Sequence, residues 1–176
     1  MKKIFILAAL IVAALTCTAF AAQSFYGTKV IIIGGGEFKT ADYYKIIQKN
    51  LGSKSGNKYE CGNEIQKRYQ VFMMDRYDIG ENKPHKQDFI DFAAWSGYRN
   101  VLFLIVDENI DTQNNAKRRQ KNRSTIQLDA YLVNGSRIVD FTTTSQDFTS
   151  KTSNLRARRG AFEKCLKDAA KSMNLL

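Results

Sequence analysis

The chain has 176 residues, with 27 lysines and arginines against 17 acids and one histidine, giving a formal charge of +10. This length is that of one ordinary domain with room for a real core, which argues against a multidomain assembly. One histidine and three cysteines leave little material for a metal centre or a catalytic triad at any recognised spacing.

The first stretch reads as a leader. Lys2 and Lys3 form a positive start, Ile4 to Leu15 an apolar run, and Ala19-Phe20-Ala21 a small-x-small cleavage pattern. The run is short for a spanning helix. A signal peptide over 1–21 is therefore expected, with an uncleaved N-terminal anchor as the alternative. Cys17 follows Ala14-Leu15-Thr16, a poor lipidation signal. Residues 22–176 then form a single globular domain carrying 25 basic against 17 acidic side chains. No second apolar segment is long enough to span a membrane. The expected location is exported, periplasmic or secreted. There, positive charge suits anionic envelope polymers, lipid headgroups or acidic proteins better than chromosomal DNA; the alternative is that it serves solubility alone.

Lys29-Val30-Ile31-Ile32-Ile33 reads as a buried β-branched strand, ended by Gly34-Gly35-Gly36. Thr40 is placed to cap a helix over 41–51 with Tyr44, Ile47 and Leu51 on one face. Gly52 to Asn57 reads as a turn and Tyr59-Glu60-Cys61 as a short strand. Asn63 is placed to cap a helix over 64–77 that buries Ile65, Tyr69, Phe72 and Met73, although Tyr69 to Met74 also fits a strand. Gly80 to Pro84 is a polar turn. A helix over 86–96 buries Phe89, Phe92 and Ala93 and stops at Gly97.

Tyr98 to Asp107 contains six consecutive apolar residues, Val101 to Val106, and so predicts a strand covered on both faces. A polar connection follows over 108–124. Ile126, Leu128, Ala130 and Leu132 then alternate with polar residues in a half-buried strand. Asn134-Gly135 predicts a type I′ hairpin turn, and the return strand, 137–144, places Val139, Phe141 and Thr143 on one face. The last helix, 154–172, carries a stripe of Leu155, Phe162, Leu166, Ala169 and Met173 bordered by Cys165. The order is β-α-β-α-α-β-β-β-α, a single mixed sheet packed with helices, of the α/β (α+β) class.

Taken together, the strand-to-helix opening, the Gly-Tyr-Arg-Asn-Val-Leu-Phe-Leu-Ile-Val strand at 97–106, the glycine-containing hairpin and the terminal helix resemble the CsgG, LpoB and TolB N-terminal group of bacterial envelope proteins. The resemblance covers most of 28–174 and is one of element order. It matches Gly97-Tyr98 to the small-residue entry of the strand and Gly135 to the hairpin glycine, and it carries over no functional residue. It implies envelope assembly, partner binding or an accessory role rather than catalysis.

The densest chemical feature is Lys117-Arg118-Arg119-Gln120-Lys121-Asn122-Arg123, whose cations suit phosphates or carboxylates; the alternative is a solvated loop held open by self-repulsion. Arg156, Arg158 and Arg159 form a second cluster, in which Arg156 and Arg159 share a helix face. Cations at a helix start oppose the dipole, so another interaction is expected to favour them. The turn Gly34, Gly35, Gly36 is a possible anion cradle, but it lacks both the dinucleotide and the Walker pattern; a tight turn is the alternative. His85 suits a surface or capping role, and Asp88 and Asp91 suit a helix start. Cys61 and Cys165 permit one disulfide in an oxidising compartment, or two separate buried thiols. Tyrosines and Trp95 are not interleaved with the basic run, which weakens nucleic-acid binding.

The expected function is a non-enzymatic exported module that binds an envelope protein or anionic envelope polymer through Lys117, Arg118, Arg119, Lys121, Arg123, Arg156 and Arg159. A small ligand-binding protein or enzyme using the Gly34–Gly36 turn is the second reading, and a structural subunit the third. No cofactor or metal is expected, and the sequence leaves the oligomeric state open.

Overall fold

The computed structural model describes residues 27–51, 58–77, 84–113 and 121–175, with the backbone alone at 111–113 and 121. The leader, the 52–57 turn, most of the 80–84 turn and Lys117, Arg118 and Arg119 lie outside the described residues. In chain order the elements are β1 (Thr28–Ile33), α1 (Ala41–Leu51), β2 (Tyr59–Glu60), α2 (Asn63–Met74), α3 (Lys86–Ser96), β3 (Asn100–Gln113), β4 (Lys121–Asn134), β5 (Arg137–Ser150) and α4 (Asn154–Ser172). They build one mixed sheet in the order β2-β1-β3-β4-β5. β2 and β3 run parallel to β1, while β3, β4 and β5 form an antiparallel meander. The fold is α+β, as the element order predicted.

β3 is the hinge of this arrangement, parallel to one neighbour and antiparallel to the other. Its apolar run is unbroken because helices cover both faces. On one face Leu102, Leu104 and Val106 join Val30, Ile32, Leu128 and Ala130 under α1 and α4. On the other, Val101 and Phe103 join Ile31, Tyr131 and Val133 under α2 and α3. Phe103 stacks on Phe89 at 4.5 Å and meets Phe92 edge-on at 6.0 Å.

β2 is only two residues long and pairs Thr28 and Lys29 alone. The outer edge of β1 beyond them is capped by a side chain. The Gln66 amide of α2, 5 % exposed, donates to the Ile32 carbonyl at 3.1 Å and accepts from the Ile32 amide at 2.7 Å. It mimics a strand partner and satisfies two backbone groups that burial would otherwise leave costly.

Several local expectations are corrected. The polar connection expected over 108–124 is largely strand, since β3 and β4 pair from Asn100↔Asn134 out to Gln113↔Lys121. Backbone pairing needs no apolar side chains, so the ladder continues past the point where hydropathy stops signalling it. β5 likewise runs on to Ser150. The hairpin turn is shifted by one residue: Asn134 still pairs with Arg137, leaving Gly135-Ser136 as the loop. Among its residues only Gly135 has positive φ, at 59°, which is the requirement of a type II′ rather than a type I′ turn. A register shift at Leu132/Val133 changes the phase of β5. Val139 therefore packs toward the α4 side, whereas Phe141 stacks on Tyr131 at 4.4 Å on the opposite face. Gly62, not Asn63, caps α2; Asn63 opens the helix and accepts from the Tyr44 hydroxyl at 3.2 Å. Leu155, placed in the buried stripe, is 47 % exposed. Gly97 ends α3 with φ 72°, as expected of a helix-stopping glycine.

Candidate functional site

α4 is divided lengthwise. Ala157, Ala161, Phe162, Cys165, Leu166, Ala169 and Ala170 are buried, and the alanines among them let the helix sit close to β4 and β5. Ser153 caps its start by accepting from the Arg156 amide at 3.2 Å. The outer side carries Arg156, Glu163, Lys164 and Lys167 around Gly160, on which Phe148 packs. A β-carbon at Gly160 would stand 2.5 Å from the Phe148 ring of β5, so the helix approaches that strand where its own side chain is missing. The result is a groove of about 350 Å³, floored by Phe148 and completed by Arg159.

Four cations and one carboxylate line this groove. Glu163 is paired with Lys167 at 2.9 Å. The Lys167 hydrogen bond holds the Glu163 carboxyl below the usual carboxylate range, opposed by partial burial. Arg159 bonds Asp42 at the start of α1, and Lys164 donates to the Asp147 carbonyl at 3.1 Å while lying over the Phe148 ring. Arg156 has no ion-pair partner among the described residues. The groove thus keeps a clear excess of positive charge.

The structure separates the three arginines of the second cluster. Arg156 and Arg159 line the groove. Arg158 turns inward, where its Nε donates to Glu108 at 2.6 Å with side chains 18 % and 7 % exposed. Glu108 also accepts from the Ser124 hydroxyl at 2.8 Å. The guanidinium of Arg158 lies over Phe38, beside the buried Tyr43. This interior pair gives Arg158 a structural partner that offsets its unfavourable position near the helix start.

Arg123 pairs with Asp147 at 3.2 Å, both half exposed. It lies on the sheet face away from α4, because Asn122 and Ser124 occupy the α4 side. Lys121 pairs with Gln113 in the ladder. The register nevertheless brings Arg123 to the end of the sheet where α4 starts: Asn122 pairs with Ser150, only four residues before α4 begins.

Gly34, Gly35 and Gly36 lead into a single 3₁₀ turn, Gly36–Phe38. Gly34, at φ 155°, closes on Val106, where a β-carbon would meet the carbonyl oxygen at 2.7 Å. The Glu37 carboxylate fills the space over Gly35. The turn is thus occupied by the chain's own negative charge, which disfavours the anion cradle. Cys61 and Cys165 are free thiols; Cys61 donates to the Tyr44 carbonyl at 3.4 Å and Cys165 to the Ile126 carbonyl at 3.1 Å. Cys165 is buried and Cys61 is partly exposed.

His85 caps α3. Its amide donates to Asp88 at 2.7 Å, and Asp88 also accepts from the Tyr77 hydroxyl at 2.7 Å. Asp91 accepts from Gln87 and pairs with Arg76 at 2.6 Å, which together lower its pKa. These acids serve the helix start. Among the described residues no group of three or more His, Cys, Asp or Glu side chains is placed to hold a metal ion, and no helix is long and apolar enough to cross a membrane.

Sequence reasoning missed Lys164, Lys167, Glu163 and Phe148. The helical spacing of 156, 160, 163, 164 and 167 was a usable signal for the first three. Nothing in the sequence pointed Phe148 at Gly160.

No family model matches the sequence, and no curated protein matches it. Among solved structures, the PelC dodecamer from Paraburkholderia phytofirmans is similar at 10% identity and a TM-score of 0.45, over 86% of this chain and 91% of that chain. Lipoprotein GNA1162 from Neisseria meningitidis is similar at 12% identity and 0.44, over 80% and 99%. Hypothetical protein CT253 from Chlamydia trachomatis is similar at 8% identity and 0.42, over 84% and 93%. At such identities and scores the likeness is partial and transfers no residue and no role.

Proposed function

We propose that the chain is an exported, non-enzymatic envelope module that binds an anionic envelope component or partner protein through its basic end. The leader-like residues 1–21 support export, and the order of elements supports the CsgG, LpoB and TolB resemblance. The observation that carries the reading is the α4 groove, where Arg156, Arg159, Lys164 and Lys167 converge with only Glu163 among them. The basic run of 117–123, whose last residues open β4, adds further positive charge to the chain. Such a surface attracts anions over a distance set by salt, about 8 Å at physiological ionic strength.

The test is retention on immobilised anionic polymer across a salt gradient. The parent chain should elute late, and a variant with serine at Lys117, Arg118, Arg119, Lys121 and Arg123 together with glutamine at Arg156, Lys164 and Lys167 should elute early. Unchanged retention of that variant sinks the reading.

A further inference from the structure

We infer that the α4 groove is a subsite for a linear acidic polysaccharide, which lies lengthwise along the helix with its carboxylates on the cations and a ring face on Phe148. This rests on the reading above and names the ligand class of the same site.

Three features of the groove select the ligand. Length comes first: Arg156 and Lys167 are separated by about 16 Å along the helix axis at 1.5 Å per residue, so the cations form a row and not a single pocket. A lone phosphate or acetate would use one end of it. An extended chain with an acid on successive units uses both.

The second feature is Glu163 in the middle of the row, bonded to Lys167. A polymer with a charge on every short repeat and no hydroxyls, such as inorganic polyphosphate, would press negative charge against this carboxylate. A glycan presents hydroxyls between its acids, and a carboxylate accepts from hydroxyls. The third is Phe148, whose ring packs on Gly160 and lines the groove beside Lys164. The C–H face of a sugar ring packs on an aromatic surface, whereas inorganic polyphosphate has no such face to offer. Cations in a row, an acceptor between them and an aromatic floor together match alternating acid, hydroxyl and apolar ring.

The binding of three labelled probes to the purified chain distinguishes the sources of negative charge: an oligomer of polygalacturonate, inorganic polyphosphate, and vesicles containing phosphatidylglycerol. At equal charge concentration and physiological salt, the uronate oligomer should bind at least tenfold tighter than the other two. R156Q/K164Q/K167Q, whose three side chains are exposed and whose bonds to Asp147 and Glu163 lie at the surface, should lose at least tenfold of that affinity while keeping its melting temperature. The serine variant of the 117–123 run should lose less. Equal or tighter binding of polyphosphate or vesicles overturns the inference, as does an unaffected R156Q/K164Q/K167Q variant. If the serine variant alone loses uronate binding, the groove assignment fails while the basic-end reading stands; if no probe binds the parent chain, the basic-end reading fails with it.

Discussion

Tyr43 sits edge-on between Phe38 and Phe162, at 5.2 and 5.1 Å, with a hydroxyl that has no partner among the described residues. Burial pushes its phenol up to about 12, and burial does the same to the Cys61 thiol. Tyr69 is raised for the same reason. In each case the folded chain holds its proton more tightly than the unfolded one, so the folded state binds more protons above the ordinary value and stability falls as pH rises. The contribution is whole below the ordinary values, 9.0 for Cys61 and 10.0 for Tyr43, and is lost as pH climbs toward 12. Urea unfolding between pH 8 and 11 should show a midpoint that declines above pH 9, and Tyr43→Phe should decline less steeply above pH 10. Parallel curves for the two proteins would refute this account of Tyr43. At this scale Arg156 and Arg159 were legible as one helix face. The inward turn of Arg158 was not, because its partner Glu108 is fifty residues away. A buried pair of this kind adds little net stability against an apolar replacement; it fixes the first turn of α4 against β3.

Elements follow the same division between local signal and distant cause. α1, α3 and α4 coincide with the predicted 41–51, 86–96 and 154–172, because each combines a 3.6-residue apolar period with a clear stop or cap. The strands were read too short, since alternation reports burial and the hairpin outruns its covering helices. The edge of β1 was not legible at all: nothing in a helical glutamine announces that it replaces a strand. Gln66→Leu should therefore destabilise the fold by about 1–3 kcal/mol, the cost of leaving the Ile32 amide and carbonyl without partners, even though leucine suits a buried helical position. Equilibrium denaturation measures it, and a variant as stable as the parent would show that the edge of β1 is satisfied in some other way.

For the whole molecule, the apolar runs of β1 and β3 specified a sheet with helices on both faces, and the hairpin glycine specified the antiparallel half. The groove was only half visible, because it is made where a helix and a strand meet at Gly160 and Phe148. The switch at β3 from parallel to antiparallel pairing also divides the molecule by the time its contacts take to form. β3, β4, β5 and α4 are consecutive in sequence, with a two-residue loop between β4 and β5, so their contacts close small loops. The β1–β3 ladder must bring Lys29 to Val101 across most of the first half of the chain, and long loops close slowly. The meander with α4 should thus be the folding nucleus, and β1 should dock late. In stopped-flow experiments Leu128→Ala should slow folding, whereas Ile31→Val should mainly speed unfolding; comparable slowing by both would contradict that order. An intermediate lacking β1 would expose one side of β3, its most apolar strand. The interval before β1 arrives is then the period in which this chain is most prone to self-association.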